Sequence, residues 1–172
     1  MYPEYRDGLA PDRVECFPLP GIVGENLLHL STWVLAGWLV WPVQIGGWPV
    51  ATIAWAVIVL VIQTLLKKHV CTGCYYWGKR CHLGWGLLAA SLFPQDSGNR
   101  ERSLKLTLFY ILTPPVFLVA GLAVGLLLHP GTLHWALLGA FLVLEGLLFA
   151  LRKPGCARCA MRRVCPGSAA KG

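Results

Sequence analysis

Four stretches of the chain are apolar almost without interruption, at residues 24–43, 48–66, 103–128 and 132–151. Polar and apolar residues do not alternate within them, as Leu27-Leu28-His29-Leu30 and Ile58-Val59-Leu60-Val61-Ile62 show. A helix crosses the hydrocarbon core in about 20 residues, whereas a crossing strand alternates over roughly ten. The pattern therefore predicts an all-α integral membrane protein with four transmembrane helices. The predicted division is a segment at 1–23, a hairpin over 24–66, a connection over 67–102, a second hairpin over 103–151 and a tail over 152–172.

The turns Gly46-Gly47-Trp48-Pro49 and His129-Pro130-Gly131 are short and uncharged, so each hairpin is tight. Pro114-Pro115 predicts a kink in the third run, and Gly121-x3-Gly125 a smooth face for close packing. Residues 85–93, ended by Pro94, read as an interfacial stretch, and 95–99 as a solvated turn.

Charge fixes the expected orientation. All 15 Lys and Arg residues fall in the N-terminal segment, the connection counted through residue 105, or the tail. The positive-inside rule places those three regions, and both termini, in the cytoplasm. Residues 1–20 carry Glu4, Asp7, Asp12 and Glu15 among several prolines, with no apolar centre for a cleavable signal. The first helix is then expected to insert the chain, which keeps its N-terminus. The net charge of +7 would suit nucleic acid only if it lay along a soluble surface, so no nucleic-acid partner is expected. The lipid bilayer is the expected surrounding, with a membrane or cytoplasmic protein as possible partner.

The same orientation puts all seven cysteines on the cytoplasmic side, where a structural disulfide framework is disfavoured. Their layout repeats. Lys67-Lys68-His69-Val70 leads into Cys71-x2-Cys74-x6-Cys81, and Arg152-Lys153-Pro154-Gly155 into Cys156-x2-Cys159-x5-Cys165. The chain thus reads as two parallel-repeat hairpins, each followed by a cytoplasmic three-cysteine segment. A Cys-x2-Cys turn brings two sulfurs to one ion, and a third cysteine returns after a turn of helix. Such ligation suits zinc or iron–sulfur chemistry. The six cysteines are the candidate ligands, with Cys16, His69 and His82 as lesser candidates.

The spacing resembles the binuclear zinc–cysteine module of certain fungal transcription factors, in which six cysteines bind two zincs. The resemblance covers the cysteine segments alone; a helical hairpin separates Cys81 from Cys156, and it implies no DNA-binding role. Two separate zinc sites, each with a recruited fourth ligand, are an alternative. So is one iron–sulfur cluster held by four cysteines, since Cys165-Pro166 resembles the Cys-Pro closing a ferredoxin ligand run.

Ionisable groups inside apolar helices cost about 2.5–3.5 kcal/mol for Asp, Lys or Arg at the centre. Glu145, Glu25, His29 and Gln63 occupy the cytoplasmic half of their runs and are candidates for a buried polar site serving a proton, a quinone head group or a transported ion. His29 and the pair His129 and His134 lie at opposite ends, which argues against a transmembrane haem. No phosphate loop, nucleophile elbow or His-Glu-x2-His sequence marks an enzyme. The expected function is a zinc–thiolate scaffold or anchor subunit. The alternatives are an iron–sulfur electron-transfer subunit, passing electrons to a quinone or soluble carrier, and a heavy-metal transporter or sensor.

Overall fold

A computed structural model describes residues 8–128, 131–165 and 167–170. The turn predicted over 129–131 lies partly outside them. Every regular element among the described residues is helical: α1 Leu19–Leu39, α2 Val50–Leu66, α3 Trp85–Leu92, α4 Arg100–Leu127 and α5 Thr132–Ala157.

α1 begins earlier than the predicted position 24, because Pro20 falls in the first turn, where no backbone N–H is needed. It stops at Leu39, ahead of Trp41-Pro42, since a residue before proline avoids the α conformation. Gly46 and Gly47, at φ 58° and 79°, make the reversal into α2, with Ile45 and Trp48 exchanging backbone bonds of 3.0 and 3.1 Å. Asn99 caps α4 by accepting from the Arg102 amide at 3.0 Å. α4 then runs unbroken through Pro114 and Pro115.

Two boundaries differ from the sequence prediction in a way that matters for the site. α2 does not end at 66 but continues through a π-helical turn, Lys67–Cys71. α5 passes its expected end at 151 and runs through Pro154 to Ala157. Cys71 and Cys156 therefore belong to the last turns of their helices rather than to the segments beyond.

Among the described residues three helical stretches are long and apolar enough to cross a membrane: Val50–Cys71, Arg100–Leu127 and Thr132–Ala157. α1 has 21 residues but carries Glu25, Asn26, His29, Ser31 and Thr32 on its way, and is not among the three. The surface is that of a protein surrounded by hydrocarbon. Val34, Leu60, Val143 and Phe149 are exposed, while Thr32, Ser103, Thr107 and His134 are buried.

The middle of the bundle is a small core of Ala36, Leu39, Trp55, Leu138 and Phe141, in which α1 packs most extensively on α5. The α1–α2 hairpin is tied by Thr52 Oγ1 donating to the Gly37 carbonyl at 2.8 Å and Trp55 Nε1 to that of Trp33 at 2.9 Å. Gly121 and Gly125 face α5, as their spacing suggested. A Cβ at Gly125 would stand 2.8 Å from the His134 ring, whose Nε2–H donates to the Gly121 carbonyl at 2.8 Å. Gly125→Ala is expected to push that ring off its bond and cost on the order of 1 kcal/mol, read as a lowered melting temperature in detergent.

Candidate metal centre

A second core lies at the end of the bundle that carries the cysteines, built from Phe17, Ile22, Tyr76 and Ala160, with Cys74, Cys81 and Cys159 packed against it. The two cysteine segments share a backbone design. Cys74 N–H donates to the Cys71 carbonyl at 3.2 Å, and Cys159 to Cys156 at 3.1 Å. Trp77 donates to Cys74 at 3.1 Å, and Arg162 to Cys159 at 3.2 Å; Lys79 to Tyr76 at 2.8 Å, and Val164 to Met161 at 3.0 Å. Gly84 donates to Cys81 at 2.9 Å, and Ser168 to Cys165 at 3.2 Å. In both turns the second sulfur accepts an amide from two residues ahead, Tyr76 for Cys74 and Met161 for Cys159. Amides aimed at sulfur stabilise thiolate, which is the form that binds metal.

The segments also meet. Cys81 and Cys165 lie near enough to Cys71 to act on it electrostatically, as do Cys71, Cys81 and Cys165 on Cys74, and Cys165, Cys156 and Cys81 on Cys159. Burial pushes the Cys74 thiol well above its ordinary range and that of Cys159 up to about 12, because a lone thiolate is costly away from water. Among the described residues no three Cys, His, Asp or Glu side chains are gathered closely enough to hold an ion as they stand. The sulfurs are neighbours rather than a closed shell.

No family model, curated protein or solved structure matches the chain. Its chemistry must be read from its own geometry.

What joins the two segments is the stretch before α1, which sequence reading left without a structural task. Ala10 N donates to the Ala160 carbonyl at 2.9 Å, Val14 N to Arg158 at 3.0 Å and Phe17 N to Arg80 at 3.0 Å. This strap crosses both cysteine segments. Tyr76 pins it: the hydroxyl donates to the Val14 carbonyl at 2.6 Å and accepts from the Ala160 amide at 3.0 Å. At 1% exposure Tyr76 is the largest fully buried side chain among the described residues, and burial drives its phenol above its ordinary value. Arg162 and Lys79, one from each segment, add ion pairs to Asp12 at 2.6 Å and Glu15 at 3.4 Å. Cys16 is on the exposed side of the strap.

The lesser ligand candidates differ in placement. His69 Nδ1 accepts the Asn99 amide at 3.0 Å and so fastens the loop before α4. His82 instead sits between Glu25, 3.0 Å from its Nδ1, and the Cys156 side chain. Burial opposes charge on this ring, but its bonds to Cys156 and Glu25 outweigh burial and hold the pKa up at about 9.

The four polar residues predicted inside the helices do not form one site. Glu25 is taken by His82. Gln63 accepts from Lys67 Nζ at 3.0 Å, and that ammonium lies 4.4 Å from the centre of the Trp85 ring. His29, which also lies in the field of Glu25, shares with Glu145 a cavity of about 280 Å³ that Tyr110 and Arg152 also line. Glu145 lies beside the Thr32 hydroxyl and in the field of Arg152. Arg152 donates through a terminal nitrogen to the Gly167 carbonyl at 3.3 Å, while its Nε is buried without a hydrogen-bond partner among the described residues. No sequence signal marked Tyr110, whose role depends on its neighbours in space.

Proposed function

We propose that this is a membrane-embedded metal–thiolate protein whose two cysteine turns bind zinc jointly and so hold its helical hairpins together. The observation that carries this reading is the pair of turns with matching backbone bonds and amides aimed at Cys74 and Cys159, lying side by side. Each turn supplies three sulfurs, one fewer than a closed four-coordinate zinc site, so sharing completes both. Metal would draw neighbouring sulfurs into one shell and deprotonate them as it binds. Lys67 stands in the field of Cys71 and Cys81 and can offset part of the negative charge of such a centre.

In this reading the chain crosses the bilayer four times as two repeated hairpins, α1 included, with both termini and all cysteines cytoplasmic. The protein serves as a scaffold or anchor subunit for a protein partner. A second reading is supported by the cavity that His29 and Glu145 line, whose wall includes Ala169, the residue that hydrogen-bonds Cys156. An iron–sulfur cluster on the same cysteines would stand near a pocket whose His29, Tyr110 and Glu145 suit a quinone head group, making the protein an electron-transfer subunit.

Purification without oxygen, followed by elemental analysis, separates these readings. Zinc in a colourless protein is expected; brown protein containing iron and acid-labile sulfide would replace zinc by the cluster, and absence of both would end the metal reading. Orientation has its own test. A cysteine placed at Gly47 in a chain with its native cysteines protected should be labelled by an impermeant thiol reagent only from the outer face. Labelling only from the cytoplasmic face would reverse the topology.

A further inference from the structure

His82 stands where α1 and the two cysteine segments converge. It follows Cys81 of the first segment, touches Cys156 of the second and pairs with Glu25 of α1. The His82 and Glu25 side chains are only 15% and 13% exposed. The ring is confined on its other sides as well. A Cβ on Gly155 would come within 3.5–3.6 Å of it, and the Phe17 ring meets it edge-on with centroids 6.0 Å apart. An imidazole so placed keeps one orientation.

A metal-ligating histidine characteristically gives its second ring nitrogen to a carboxylate, which fixes the tautomer and aims the first nitrogen. Here Glu25 engages Nδ1. That leaves Nε2 as the nitrogen for a metal, which would displace any hydrogen bond from it to the Cys156 sulfur. We propose that His82 supplies a nitrogen ligand to the shared thiolate site and that Glu25 is its positioning residue. The inference rests on the joint-site reading above and sharpens its coordination. Two four-coordinate zinc ions need eight ligand positions. Six sulfurs fill them only if two bridge, whereas six sulfurs and one nitrogen require a single bridge. The nitrogen also ties α1 to the site, which the cysteines alone do not.

The test is X-ray absorption at the zinc edge on the full chain in lipid nanodiscs, loaded with zinc alone. The wild type should show sulfur at about 2.3 Å and a nitrogen at about 2.0–2.1 Å, with the outer-shell pattern of an imidazole. His82→Ala should lose that pattern while keeping the sulfur shell. Glu25→Gln should keep the imidazole but weaken zinc roughly 10–100-fold. A sulfur-only shell in the wild type would overturn the assignment and leave the joint site standing, and it needs no variant to fold. An imidazole signal that survives His82→Ala would also overturn it, assigning the nitrogen to another histidine. Failure of the wild type to bind zinc at all would remove both readings.

Discussion

Replacing Cys71 by Ser should strip metal from both cysteine segments, taking the metal-to-protein ratio towards zero instead of halving it. Cys156→Ser should do the same from the other side. The expectation follows from the mutual proximity of the thiols: Cys71 feels Cys81 and Cys165, and Cys159 feels Cys81 as well as its own segment. If sulfurs from both turns complete each shell, losing one opens a position at the shared centre. Because metal affinity is linked to folding, each variant should also melt well below the wild type. Metal content by elemental analysis, together with thermal denaturation of metal-loaded and chelated samples, decides the matter. Should each variant lose one ion while the other segment retains its own at wild-type affinity, the sites are independent and the shared centre is wrong.

Tyr76→Phe is expected to have the second largest effect. The phenol ring would stay in place, but the Ala160 amide and the Val14 carbonyl would both lose their partner. Ala160 is fully buried, so its N–H would have no water to turn to. An unsatisfied buried donor costs about 1–3 kcal/mol and a lost bond about 1 kcal/mol more. A loss of about 2–4 kcal/mol in a chain of this size corresponds to a fall of roughly 5–15 °C in melting temperature. Tryptophan fluorescence on heating would read it. A shift of under about 2 °C would mean that the hydroxyl does not hold the strap.

The helices were legible because an apolar run of sufficient length has few other ways to satisfy its backbone in lipid. Their cysteine ends were not. Lys67-Lys68 looks like an exit into water, yet Lys67 is only 7% exposed, turned back onto Gln63 and Trp85, and the helix continues beneath it to Cys71. Pro154 reads as a stop, but proline removes a single helical bond, and α5 carries on past it. Within the candidate centre, the equivalent spacing of the two cysteine segments was readable and is matched by their bonding. The pairing of His82 with Glu25 was hidden, because the two residues are 57 apart in the chain and only the fold brings them together. The strap over residues 10–17 left no trace in the sequence. Its bonds to Ala160, Arg158 and Arg80 are made by backbone groups, which every residue type carries.

The strap also constrains how the molecule can be made. Residues 10–17 are synthesised before any of the helices, and residues 158–160, which they bond, after all of them. Until α5 has been made the early segment therefore lacks its partners at residues 158–160. Ala10 and Val14 must wait for a closure that spans almost the entire chain, a step of high contact order and correspondingly slow. A ribosome-bound intermediate ending before Cys156 would hold the first cysteine turn with the Tyr76 hydroxyl still lacking the Ala160 amide. Closure of the strap over both cysteine segments therefore comes only after all five helices have been made.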